Sequence, residues 1–161
     1  MLYEAYKAIE TELAKITEIK LVDWFNDQYQ GTIHTVPAAF VEFPAPLRFK
    51  TLRNGFQMAP FTVRIHTVSK ALSDISKKIP DDLLSEHDEL VESVFTTLHR
   101  LSANIENGKR IFDSLERIDL QHHQYIAGWL MTTQDFTSNI YQHEELTTGV
   151  VKEVTINKEI E

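Results

Sequence analysis

Apolar and polar positions alternate with two distinct periods along this chain, and the periods switch at identifiable points. From residue 2, Leu2, Tyr6, Ile9, Leu13 and Ile16 recur at steps of four and three, while Glu4, Lys7, Glu10, Glu12 and Lys15 fall between them. That spacing puts the apolar set on one stripe of a helix, and good helix formers fill its interior. From residue 37 the period becomes two. Ala39, Val41 and Phe43 share one face of a strand opened by Pro37 and closed by Pro44 and Pro46, because proline inside a ladder removes a donor. Phe61, Val63, Ile65 and Thr67 then alternate with Thr62, Arg64, His66 and Val68, which predicts one apolar face and one mostly polar face. The two strands are joined by a basic, apolar loop, Pro46 to Ala59, with a turn signal at Asn54-Gly55.

Helical spacing returns in the middle of the chain. Leu84, His87, Leu90, Val91, Val94, Phe95, Leu98 and Leu101 form one stripe, with a start expected near Ser85, where Asp88 completes a capping-box pair, and a stop at Asn107-Gly108. Ile19 to Phe25 reads as a short strand, Asn26 to Gly31 as a turn and Leu72 to Pro80 as a connector. Strands are expected again over Leu115 to Gln124 and from Tyr125 through Phe136 toward Tyr141, with Gly128 as a bulge or close backbone approach. The order helix, strands, helix, strands argues for an α+β domain: an antiparallel sheet with an N-terminal helix and a central helix packed on one face. Residues 1–141 make up that domain. Residues 142–161 form an acidic C-terminal tail with a β-like run, Gly149 to Asn157, suited to an edge strand, a loose end or an arm reaching a neighbour.

Charge adds a second layer to this plan. The 161 residues carry a net charge of −8, but residues 1–80 hold 10 Lys/Arg against 8 Asp/Glu, and residues 81–161 hold 6 against 16. Arg48, Lys50, Arg53, Arg64, Lys70, Lys77 and Lys78 concentrate the positive charge between residues 48 and 78. A basic section and an acidic section on one molecule allow head-to-tail docking between copies. The chain has no cysteine, which removes disulfides, thiolate metal sites and a cysteine nucleophile. Neither a signal peptide nor an apolar run of membrane-spanning length is visible, so a soluble, cytosolically made protein is expected.

Reactive constellations are sparse. His122 and His123 are adjacent and point to opposite faces of a strand, and His87 and His99 stand about three helical turns apart. No metal site is expected from them. The carboxylate groups Asp81-Asp82, Glu86-His87-Asp88-Glu89 and Glu144-Glu145 suit a helix start or solvent better than paired acid–base work. His87 beside Asp88 is the weakest hydrolase candidate, since adjacent helical residues point about 100° apart. Five scattered glycines give no phosphate-cradling loop. Trp24 and Phe25 are adjacent, which leaves one of them as an outward interface anchor.

The succession of an amphipathic helix, PAAFVEF, a loop, FQMAPFTVRIHTVSKA, a second helix ending TTLHRLS and a late YIAGWLMTTQDFTSNIY resembles the tail-terminator and tail-completion (head–tail joining) proteins of long-tailed bacteriophages. The resemblance covers roughly residues 1–141. It implies a structural virion protein, made in the host bacterial cytoplasm and located in the virion tail, with no catalysis and no cofactor. It further implies a homo-oligomeric ring, commonly a hexamer, that terminates the tail tube and joins it to the head connector. Its partners would be itself, the tail tube protein and the connector protein, with no membrane and with DNA only as cargo. On this chain the contact residues would be Arg48, Phe49, Lys50, Arg53 and Phe56 of the loop, together with Trp24 and Arg64. The competing expectation is a small nucleic-acid- or ligand-binding α+β domain that grips through the loop 46–59, with Phe49 and Phe56 stacking between the basic residues. The overall acidic charge weighs against it, because phosphate neutralisation dominates such affinity.

Overall fold

The structure, a computed structural model, describes residues 1–27, 35–52, 56–71, 79–104, 108–126 and 128–142. Two long strands form its spine. β4 (Gln57–Lys70) and β8 (Trp129–Gln142) pair antiparallel over their full length, from Gln57↔Gln142 to Lys70↔Trp129. Each has 14 residues and so spans about 45 Å. The free edge of β4 takes β2 (Ala38–Glu42) opposite Arg64–Val68 and β3 (Lys50–Thr51) opposite Gln57 and Met58. The free edge of β8 takes β7 (Glu116–Ile126) and β6 (Arg110–Phe112). β1 (Leu21–Trp24) extends the sheet as a parallel neighbour of β2, and β5 (Ala103–Asn104) pairs β6. The sheet is antiparallel apart from the β1–β2 pair.

Two helices cover one face, giving the α+β architecture anticipated from the periodicity. α1 (Leu2–Leu13) buries Ala5, Tyr6, Ile9 and Leu13, and Ile16 continues the stripe just past its end. α2 (Asp81–Leu98) buries His87, Leu90, Val91, Val94 and Leu98. Between helices and sheet lies a core that includes Ala39, Val41, Phe61, Val63, Ile65, Phe112, Phe136 and Ile140. Each large side chain removed from water there contributes about 1.5–3 kcal/mol before entropy is counted. A row of aromatic rings crosses this face at centroid spacings of 5.2, 5.1, 6.2 and 5.9 Å through Tyr6, Trp24, Phe43, Phe61 and Phe112. Burial, and then the Glu10 hydrogen bond, push the Tyr6 hydroxyl up to about 12.

The opposite face carries a smaller cluster. Ala38, Phe40, Val68 and Met131 are buried there, with Leu21, Phe25, Val36 and Trp129 packed around them. The face of β4 expected to be mostly polar is therefore polar only near Arg64: His66 and Val68 are 5% and 0% exposed. β2 is buried on both faces, so its run AAFV is continuous rather than alternating in burial.

Three boundaries differ from the sequence expectation. α2 starts at Asp81, not near Ser85: Pro80 is the last non-helical residue, at ψ 139°, and two acids then meet the helix N-terminus. It ends at Leu98, well before Asn107-Gly108. Leu101 keeps the apolar spacing going, but Arg100 turns to φ 67° and its backbone N–H goes to the carbonyl of Leu115, so tertiary pairing ends the helix. Gly128 lies between β7 and β8 at φ 93°, in the hairpin turn, not inside the last strand. Leu84, placed in the buried stripe, is 44% exposed. The expected turns at residues 28–31 and 54–55, most of the connector at 72–78, Asn107 and the tail 143–161 lie outside the described residues.

Candidate functional site: the basic hairpin and its surroundings

The loop between β2 and β4 is built from its base outward. Phe43 sits in the aromatic row, and Leu47 and Phe49 pack against the main core. Arg48 and Lys50 alternate with them and are exposed. β3 pairs back on β4 at Lys50↔Met58 and Thr51↔Gln57, and the backbone N–H of Leu52 donates to the carbonyl of Phe56 at 2.6 Å. The apolar residues thus anchor this stretch on the core, and the basic ones between them face outward. Leu52 and Phe56, 42% and 39% exposed, stand at the outer end of the hairpin. Of the seven contact residues expected from the sequence, Arg48, Phe49, Lys50 and Phe56 are gathered on this hairpin, and Arg53 lies outside the described residues.

Trp24 and Arg64 are placed elsewhere. Trp24 is 38% exposed and leans on Tyr6 and Phe43, while Phe25 turns to the other face and stacks on the His66 ring at 4.2 Å and 5°. Arg64 faces away from the helices. Its Nε and Nη2 donate to the two oxygens of Asp135 at 2.7 and 2.8 Å, and Nη1 lies 3.9 Å from Glu42. The Asp135 hydrogen bonds hold the guanidinium above its ordinary pKa. Glu42 also pairs with Nε2 of His66 at 2.8 Å, so Glu42, Arg64, His66 and Asp135 form one polar network joining β2, β4 and β8. The fork of Arg64 is satisfied inside its own chain.

A second polar cluster was not visible in the sequence. His87 of α2 has Nδ1 2.8 Å from Ser69 Oγ and Nε2 2.9 Å from Thr132 Oγ1, and Nδ1 of His122 approaches the same threonine oxygen at 3.1 Å. Burial first, and the neighbouring His122 second, push the His87 imidazole down to about 4. Ser69 and His87 line a cleft of about 400 Å³ with Lys70, Glu86 and Glu89. A serine hydroxyl on an imidazole is the geometry of a nucleophile and base. Here the second ring nitrogen meets the Thr132 hydroxyl, and the charge of Asp88 only partly offsets the burial that disfavours an imidazolium. The interaction ties α2 to β4 and β8. The signal was a histidine inside an otherwise apolar stripe, since a buried polar group needs partners.

No group of three His, Asp or Glu side chains suited to a metal occurs among the described residues. No described helix is long and apolar enough to cross a membrane. The remaining exposed apolar side chains include Leu84 on α2 and Ile118 and Leu120 on β7, which forms the edge of the sheet beyond β8.

No family model and no curated protein matches the chain. A solved structure does: a chain in the virion of a native gene transfer agent particle, at 8% identity and a TM-score of 0.60, covering 88% of this chain and 97% of that chain. At that identity the likeness is one of fold, and it extends over nearly the whole of both chains.

Proposed function

We propose that this protein is a structural subunit of a phage-type virion tail that forms a ring, six copies in the simplest case, at the head-proximal end of the tail tube. The ring stops tube growth and joins the tube to the head connector. Its partners are its own copies, the tail tube protein and the connector protein, and DNA passes through as cargo. Made in the bacterial cytoplasm, it ends in the tail of the particle. It performs no catalysis and needs no cofactor.

The observation that carries this reading is the near-complete fold match to a chain of a virion particle, with 97% of that chain covered. A match of that extent leaves little of either chain unshared. The hairpin supports it independently: its base is anchored on the core by Leu47 and Phe49, while basic and apolar side chains beside them stay exposed. Such an element is built for contact, not chemistry. A nucleic-acid grip through the same hairpin is the weaker reading, since Phe49 is packed against the core and is not free to stack on a base.

The test is genetic. A particle-producing strain lacking this gene is expected to make tail tubes of irregular, excessive length that do not join to filled heads, and complementation restores normal particles. Normal tails joined to heads in its absence would overturn the assignment.

A further inference from the structure

The basic hairpin and the start of α2 lie at opposite ends of β4. Lys50 of the basic hairpin pairs with Met58, and α2 meets β4 at Ser69 through His87. Met58 and Ser69 are eleven residues apart on one strand, about 36 Å. The hairpin therefore stands far from the first turns of its own chain's α2, which then runs back along the sheet through Val91 beside Gln134.

α2 exposes an unusual surface. Its 18 residues include six acids and no Lys or Arg. Asp81 and Asp82 are accounted for by the helix N-terminus, where negative charge is favourable. Glu86 and Glu89 share a cleft with Lys70 of their own chain, which leaves Asp88 and Glu92. Asp88 and Glu92 stand four residues apart on the exposed side, a like-charge spacing that weakens a helix unless a cation lies nearby. Leu84, four residues before Asp88, continues the same ridge and is 44% exposed. The hairpin carries the complement of each feature: two exposed cations, Arg48 and Lys50, beside two exposed apolar side chains, Leu52 and Phe56.

We propose that the ridge Leu84–Asp88–Glu92 on α2 is the docking site for the hairpin of a second copy of this chain. Arg48 and Lys50 meet Asp88 and Glu92, while Leu52 and Phe56 cover Leu84. The interface is heterologous, and such contacts close into a ring when the rotation between copies permits and otherwise run on as a filament. This rests on the self-association in the proposed function and names the surface that carries it.

The test compares sedimentation velocity of the full chain at low salt with three samples: R48E/K50E, D88K/E92K, and an equimolar mixture of the two. All four positions are exposed, so folding should be retained, with circular dichroism as the check. Each reversed variant alone is expected to associate at least roughly tenfold more weakly than wild type, because it places like charges across the interface. The mixture should regain wild-type association, since each hairpin then meets a helix of opposite charge. Association untouched by either reversal, or not regained on mixing, overturns the interface while leaving the ring itself standing. A wild-type chain that stays monomeric at every concentration overturns self-docking. The tube-length phenotype is then read separately.

Discussion

His87 concentrates the effects that single residues have here. It is 6% exposed, bonded to two hydroxyls and flanked by His122 from β7 and Asp88 from its own helix. Its folded pKa, about 4, lies below its ordinary value of 6.5. Between those values the unfolded chain binds the proton that the folded chain refuses, so stability is full above about pH 6.5 and falls as pH drops toward 4. We expect this residue to contribute about 2–3 kcal/mol of that loss. Denaturant titrations of wild type and His87→Gln at pH 7 and pH 4.5 check it: the variant should show a smaller pH dependence, and equal slopes would refute the assignment. Arg64 and Asp135 offer a second test at this scale. Asp135 is 12% exposed, and removing Arg64 leaves its carboxylate short of two charge-assisted hydrogen bonds. A double-mutant cycle with Arg64→Met and Asp135→Asn should return a coupling of about 1–3 kcal/mol.

At the scale of elements, what the sequence disclosed depended on whether an element's limits are set locally. α1 and the helix-facing side of β4 were legible because their apolar spacing matches their burial: Tyr6, Ile9 and Leu13 for the helix, Phe61, Val63 and Ile65 for β4. α2's end was not legible. Leu101 sits at the right spacing to continue it, and only the pairing of Arg100 with Leu115, set by the rest of the fold, stops it. The second face of β4 misled for a related reason. His66 is covered by Phe25, the residue after β1, and Val68 packs with Ala38, Phe40 and Met131, and no local pattern announces that cover. The hairpin residues Arg48, Phe49, Lys50 and Phe56 were legible as a group, whereas the His87–Ser69–Thr132 cluster joins positions up to 63 residues apart. Packing at the centre of the sheet is the stability-determining feature of this scale. Phe136 of β8 is fully buried on the helix-covered face of the sheet, and Phe136→Ala should cost about 3–5 kcal/mol in denaturant unfolding. Phe56→Ala at the hairpin should cost under about 0.5 kcal/mol, since that ring is 39% exposed.

For the whole molecule, a sheet with helices on one face, a basic hairpin at one end of β4 and the start of an acidic helix at the other makes a polar building block. Association driven by those ends is screened by salt, because exposed charges lose most of their attraction beyond about 8–10 Å at physiological ionic strength. Self-association should therefore weaken steadily between low and high salt, as read by light scattering, while the fold remains intact by circular dichroism. The central claim is that this building block closes into a ring on the end of a tail tube. Cryo-electron microscopy of tail tubes from the particle that encodes it, incubated with the purified chain, tests that claim most directly. The expected image is a six-fold ring of density, each unit matching this fold, seated at one end of every tube, with no further growth there. Bare tube ends that continue to elongate while the chain stays free in solution would contradict it.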